Sequence, residues 1–486
     1  MGFQTLDFVI VILYLIASIG IGMWVGRGVK STTDYFAGAK SLPWWSICIS
    51  IVATETSALT FLSIPGLAFI GDFSFLQIAL GYIIGRLIIA KFLLPHYFNG
   101  ELVTAYQWIG LKFGTNAQKT TSVIFLGTRL FGDGVRLYAT AIPIAILMKV
   151  YLSENFNIAG DHEIYFFSIA ILGLITILYT VFGGIKAVIW SDVLQWMIYL
   201  VGAFFALYVI SEKVVLPDID IIAHKLRVFH FTSNNGSFYS LSDTYLSWNS
   251  IIGGMVLSMA SHGTDQLLVQ RILCSKNLKE GQKAMVFSGF IVFLQFTLFL
   301  TIGFFLSVYY DGKSVLPDQA FSKFIIEEIP SGLSGFVIAA IIAAAMSTLS
   351  SSVNSLASSS IVDILKGKFQ NVSQLFLSKA VSVLWGILLT VAAVFLIYSG
   401  DLLKKSVVEL GLKIASVTYG PILGIFIVGM LDWKVLWKNM VIALLITLLA
   451  MAYFVFQTTV TWTLFTLIGS VLFLTLIKLQ KLVVKE

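Results

Sequence analysis

The fold is decided by Ile51-Val-Ala-Thr-Glu-Thr-Ser-Ala-Leu-Thr-Phe-Leu-Ser-Ile-Pro-Gly66. The stretch lies in an apolar run at about 45–70, yet Glu55 stands near its middle among hydroxyls and small residues, and a Pro-Gly step follows. An ionisable residue inside a membrane span is costly and marks a candidate functional site. Backbone that leaves helical geometry at membrane depth is tolerated only where it lines a cavity or is buried in protein. The stretch is therefore expected to be a broken helix beside a site.

Apolar runs of about 20 residues, long enough to cross a bilayer, recur on both sides. They fall at approximately 6–26, 45–70, 74–98, 120–149, 163–182, 187–210, 246–270, 284–309, 332–364, 377–399, 405–430, 436–456 and 461–479, thirteen in all. The seventh is also interrupted, by Gly253-Gly254 and then by Ser261-His-Gly-Thr-Asp-Gln266. It lies five spans after the first interrupted one. Two inverted five-helix repeats, each opening with a broken helix and meeting at a site, have that layout. The expected organisation is one transmembrane domain over 1–486: an extra helix and loop at 1–44, repeats at 45–210 and 245–431, and two further helices at 432–486. The longest loop, roughly 211–245, has room for a short surface helix.

Composition agrees with an all-α integral membrane protein. Of the 486 residues, 58% are hydrophobic and 12% charged, with a mean hydropathy of +0.92; soluble domains carry about 25% charged residues. The net charge of +6 is modest and carries no nucleic-acid signal. Cys48 and Cys274 give neither a disulfide framework nor metal-ligand spacing. The first run lacks a basic leading region and a small-residue cleavage site, so it is expected to be a retained helix. Lysines and arginines favour alternate loops: Arg27, Lys30 and Lys40, then Lys112 and Lys119, Lys186, Lys276, Lys279 and Lys283, Lys366, Lys368 and Lys379, and Lys434 with Lys438. The positive-inside rule then puts the N-terminus outside and the C-terminus in the cytoplasm of a cell whose plasma (inner) membrane holds the protein.

A second stretch carries chemistry: Ala343-Ala-Ala-Met-Ser-Thr-Leu-Ser-Ser-Ser-Val-Asn354. Ala344, Ser347, Thr348 and Ser351 share a helix face, with Ser350 and Asn354 beside it. Uncharged oxygens are what a hard monovalent cation needs once it leaves water. The same residues can also simply hydrogen-bond to the preceding turn or let helices pack closely. Ionisable residues within spans are few: Glu55, Arg86, the row Arg129, Asp133 and Arg136 at i, i+4, i+7, Asp192, and the i, i+4 pair Glu409 and Lys413. Internal neutralisation is the plain reading of the last pair and an even alternative for the arginine row. Glu55 has no basic residue within its own turn, so a bound cation, a partner from another helix or a proton must offset its charge. His262 reads as a polar residue at a helix break, since no Cys or second His stands at ligand spacing.

The chain resembles the sodium/solute symporter family, which includes the sodium/proline, sodium/glucose and bacterial sialic acid symporters. The likeness is carried in order by Asp34-Tyr-Phe-Ala-Gly38, Ala53-Thr-Glu-Thr-Ser57 through Ile64-Pro-Gly66, Tyr179 through Gly183-Gly184-Ile185 to Trp190-Ser-Asp192, Asp265-Gln-Leu-Leu-Val-Gln-Arg271, Ala343 through Ser352, and Tyr419-Gly-Pro421. It implies the leucine-transporter-type fold, with ten core helices in two inverted repeats, one helix before them and two after. It implies a principal sodium site of carbonyls from the broken first core helix, matched by Ala53 and Thr56, and of oxygens from the eighth, matched by Ala344, Ser347 and Thr348. Members with a second sodium build it from further serines and an aspartate of the fifth core helix, matched by Ser347, Ser350, Ser351 and Asp192. Glu55 falls where the sodium/proline branch has an aspartate important for sodium. The substrate pocket implied by core helices 1, 2, 3, 6 and 10 has Ser57, Thr60, Phe75, Gln77, His262 and Thr264 as candidates. The sialic acid branch places a substrate-binding arginine in its third core helix; Gly132 falls there, flanked by Arg129 and Arg136.

The function expected is sodium-coupled import of a small polar solute (a carboxylate, amino acid, sugar acid or sugar) by alternating access, with sodium, the solute and the lipid bilayer as partners and a functional monomer as the unit. A channel or facilitator would need a filter or continuous lined pore, and no filter-like repeat is present. A transporter-like sensor would carry a fused signalling domain, which is not expected beyond the last run. An enzyme is not expected, because no nucleophile–base pair, metal-ligand set or phosphate loop stands out.

Overall fold

The computed structural model describes residues 4–483 apart from 157, 159, 234–235, 312, 370 and 399–406. Its helices, in chain order, are α1 (Thr5–Gly26), α2 (Thr32–Ala37), α3 (Trp44–Glu55), α4 (Ala58–Ile70), α5 (Leu76–Ile88), α6 (Leu94–Phe98), α7 (Ala105–Phe113), α8 (Thr115–Phe156), α9 (Asp161–Ser211), α10 (Ile219–Lys225), α11 (Ser247–Gly263), α12 (Gln266–Leu273), α13 (Leu278–Tyr309), α14 (Pro317–Glu328), α15 (Leu333–Ser359), α16 (Gln374–Tyr398), α17 (Val407–Met430), α18 (Trp437–Gln457) and α19 (Phe465–Val483). Among the described residues the one β feature is an isolated parallel bridge between Leu42 and Ser275. Among the described residues eight helical segments are long and apolar enough to cross a membrane, nine with the bent pair α3–α4 as one span. The other expected spans, in α8, α11, α17 and the second half of α9, are helical too.

The two breaks fall at side-chain caps. Helix α3 stops because Thr56 is extended and Ser57 becomes the N-cap of α4, its Oγ accepting from the Thr60 amide at 3.4 Å. The chain turns by 63° there. Pro65 does not cause the break; α4 runs through it. In the seventh span the break lies at Thr264 and Asp265, and Asp265 caps α12 by accepting from the Leu267 amide at 2.9 Å. Gly253 and Gly254 stay helical and serve packing instead: a Cβ on Gly254 would lie 2.5 Å from the Ile78 carbonyl oxygen, and one on Gly85 2.5 Å from that of Met255. Small residues let α5 and α11 approach backbone to backbone. The expected fifth and sixth spans follow each other within α9 without a loop, two helices separated by a kink at Gly184 (φ 56°, ψ −151°), a non-helical backbone state that suits glycine.

Helix α15 is the centre. Its membrane-length window is 89% buried, against 22% for α1 and 33% for α16 and α18, whose apolar faces are left for lipid. It packs most extensively on α9 and also on α1, α3, α8 and α16. Its first turn is capped from α1: Asp7 accepts from the amides of Gly332 and Gly335, each at 2.7 Å, and from the Ser334 hydroxyl at 2.7 Å. The long loop holds the short helix α10, and Lys225 donates to the Phe69 carbonyl at the end of α4 at 2.9 Å.

Candidate functional site

The broken helix and the hydroxyl row come together. Thr54 Oγ1 of α3 lies 3.2 Å from Ser351 Oγ of α15. Ending α3 at Glu55 releases the carbonyls of its last turn, Ala53 among them, from the intrahelical ladder. Ala53, Thr56, Ala344 and Ser347 are fully buried and Thr348 is nearly so. Thr348 Oγ1 donates to the Ala344 carbonyl at 3.2 Å, which puts two of the expected ligand oxygens side by side. Thr56 Oγ1 accepts from Gln295 Nε2 at 2.5 Å. Among the described residues no lysine or arginine bonds to Ala53, Thr56, Ala344 or Thr348. The oxygen set thus fits a monovalent cation by chemistry and carries no built-in positive charge.

The expected second site has a different character. Asp192 of α9 accepts from Ser347 Oγ at 2.7 Å and from Ser50 Oγ at 2.5 Å, while Ser351 Oγ turns to the Ser347 carbonyl at 2.6 Å. Ser350 Oγ donates to that same carbonyl at 3.1 Å and does not bond Asp192. Arg271 of α12 enters the group, bonding Asp192, Ser50 and Ser351. Arg271, Ser50 and Thr54 were not singled out from sequence, although Ser50 and Thr54 stand at i, i+4 and Arg271 closes a quoted motif.

Glu55 is paired with Arg86 of α5, whose Nη2 donates to Glu55 Oε2 and whose Nη1 donates to Ser288 Oγ at 2.7 Å. His262 Nε2 lies 2.9 Å from Arg86 Nη2 and 3.4 Å from Glu55. Accepting from a guanidinium assigns the neutral imidazole with its proton on Nδ1, 2.8 Å from Ser261 Oγ. Arg129 bonds Asp265 at the second break, Asp133 at 3.3 Å and the Tyr419 hydroxyl at 3.0 Å. Ser352 Oγ donates to Asp133 at 2.6 Å. The side chains of Glu409 and Lys413 lie outside the described residues.

The six substrate candidates fall into two groups. Ser57, Thr60, His262 and Thr264 border the two breaks; Ser57 and Thr60 share a 3.2 Å hydroxyl contact, and Thr264 bonds back to Ala260 at 2.8 Å. Phe75 and Gln77 stand at the other end of α5, eleven and nine residues from Arg86, so Gln77 lies roughly 13 Å from it at ~1.5 Å per residue. Gln77 Nε2 holds the Tyr245 carbonyl at 3.0 Å and Phe75 packs edge-on against Phe296.

With this fold and geometry in view, the comparisons define the class. The sequence profile of the Sodium:solute symporter family matches residues 35–446, and the chain belongs to that family. Its relatives are sodium-coupled membrane transporters, not enzymes. The sodium/sialic acid symporter NanT of Aliivibrio fischeri is 27% identical over 449 residues, 88% of this chain and 83% of that protein. The human sodium/iodide cotransporter is 26% identical over 452 residues, covering 88% of this chain and 66% of its own length. The fold is shared with a substrate-bound, outward-open Na+-coupled sialic acid symporter, with a TM-score of 0.83, 24% identity, and coverage of 99% of this chain and 98% of that one.

Proposed function

We propose that the chain imports a small carboxylate-bearing organic solute together with sodium by alternating access. It does so in a leucine-transporter-type arrangement of thirteen spans, with repeats at 45–210 and 245–431, the N-terminus outside and the C-terminus in the cytoplasm. Sodium binds the carbonyls of Ala53 and Thr56 and the oxygens of Ala344, Ser347 and Thr348. The observation carrying this is the contact of the α3 break with the α15 hydroxyl row. Ligands on two helices give the ion different affinities before and after the helices part, and only such a difference lets it bias the cycle. Each sodium crossing a 100 mV potential supplies ~2.3 kcal/mol.

The solute part rests on Arg136. Its side chain is 27% exposed and its one ion pair among the described residues, to Asp133, is a loose 3.7 Å contact. Arg86, Arg129 and Arg271 are each buried and held by several partners. A guanidinium with free donors suits a carboxylate, which it binds in a fork. The relatives' names include sialic acid, a sugar acid, so that solute heads the panel. The test is uptake into proteoliposomes under an inward sodium gradient, with sialic acid, short monocarboxylates, proline, glucose and iodide. Saturable, sodium-dependent uptake of a carboxylate is expected. Uptake confined to glucose or iodide contradicts the solute assignment, and uptake indifferent to sodium contradicts the coupling.

A further inference from the structure

Asp192 sits where α3, α9, α12 and α15 meet, and its neighbours leave a second cation little to bind. Arg271 and Asp192 are both fully buried. Arg271 Nε donates to Ser50 Oγ at 2.8 Å, Nη1 to the Leu267 carbonyl at 2.5 Å, and Nη2 to Asp192 Oδ2 at 3.2 Å and to Ser351 Oγ. Ser50 and Ser347 donate their hydroxyl protons to the same carboxylate. A sodium ion here would need the lone pairs of Asp192 and Ser351 that the guanidinium already uses. It would also set two positive charges against one buried carboxylate, and an uncompensated buried charge is strongly unfavourable.

We propose that Arg271 is a tethered cation standing in place of a second sodium, so that the chain binds a single sodium, at the principal site, in each transport cycle. The inference rests on the principal site proposed above. A tethered cation neutralises Asp192 and ties α12 and α3 to α9 and α15, as an ion would. It differs in one consequence: it never dissociates, so it draws nothing from the sodium gradient. The oxygen row of α15 is therefore divided. Ala344 and Thr348 face a mobile ion, and Ser351 faces a fixed one.

The test is equilibrium binding of radiolabelled sodium to the purified full-length chain in detergent, with potassium as the balancing ion. Wild type is expected to bind one sodium per chain, and Thr348→Ala to weaken it about tenfold. Asp192→Asn should leave the count at one. Arg271→Gln exposes the carboxylate and should raise the count to two, and Arg271→Gln with Asp192→Asn should return it to one. Two sodiums in wild type, or one that is lost in Asp192→Asn and untouched by Thr348→Ala, would overturn the proposal. A folded Arg271→Gln still binding one would overturn it as well. If Arg271→Gln does not fold, the wild-type count and its response to Thr348→Ala decide alone. No sodium bound at all would overturn the principal site and this inference with it, a failure distinct from a count of two.

Discussion

Glu55 and Arg86 are each other's counter-ion: the guanidinium of α5 reaches across to the carboxylate at the end of α3, and His262 of α11 closes the group from the other side. Three helices that meet at the two breaks are thereby held by one buried charge pair. Removing one member of such a pair leaves an uncompensated charge, at a cost of about 3–5 kcal/mol. Glu55→Gln and Arg86→Gln should each lower the unfolding temperature and yield of purified protein, and the double substitution should recover much of the loss. Glu55→Asp, which keeps the charge on a shorter stem, should fall between Glu55→Gln and wild type. If Glu55→Gln unfolds like wild type but binds sodium about tenfold more weakly, the carboxylate serves the ion and not the helices.

The proposed sodium site predicts a graded response. Thr348→Ala removes one oxygen, and should raise the half-saturating sodium concentration about tenfold, equivalent to about 1.4 kcal/mol. Thr348→Ser keeps the hydroxyl and should stay near wild type. Sodium titrations of purified variants measure both.

The proposed solute contact at Arg136 predicts a separation of solute from ion. Arg136→Gln should abolish uptake of the carboxylate solute, while sodium binding remains within about twofold of wild type, under 0.5 kcal/mol. Arg136→Lys keeps the charge but loses the fork and should be intermediate. A variant that transports normally contradicts the assignment.

Asp7 gives a prediction distant from transport chemistry. As acceptor for the first turn of α15 it caps the most buried of the membrane-length helices among the described residues. Asp7→Asn keeps the shape and loses the charge; Asp7→Ala loses the cap altogether. Losing a cap costs about 0.5–2 kcal/mol, so Asp7→Ala should unfold at lower temperature than Asp7→Asn, and both below wild type.

How far these features were legible from sequence varies with their physical origin. The α3 break was visible because Glu55, Thr56 and Ser57 set charge and hydroxyls inside an apolar run, and Ser57 is a natural cap. The second break was visible in outline, but Gly253-Gly254 pointed to an interruption where the structure has close helix packing; glycine signals both, and only the opposing backbone of α5 decides. The fifth and sixth spans are divided at Gly184 as two helices; the sequence does not show that one non-helical residue, and no loop, makes the division. Arg86 stood out as an ionisable residue within a span, but nothing in the sequence chose it over other arginines as the partner of Glu55, and Arg271 did not stand out at all. Their partners lie 31 and 79 residues away in sequence, and no periodicity links one helix's arginine to another's carboxylate. The i, i+4 rule did find Arg129 and Asp133 on one face, yet it could not reveal that Arg129 is also spent on Asp265 at the second break.

The central claim is a sodium ion bound between the α3 break and α15, and thermal unfolding of the purified protein tests it most directly. A ligand that binds only the folded state raises its stability with concentration. The unfolding temperature should climb saturably with sodium chloride at fixed ionic strength, should not climb with potassium chloride, and should need about tenfold more sodium in Thr348→Ala. Equal stabilisation by sodium and potassium, or a sodium response that Ser347→Ala with Thr348→Ala leaves unchanged, would contradict the account.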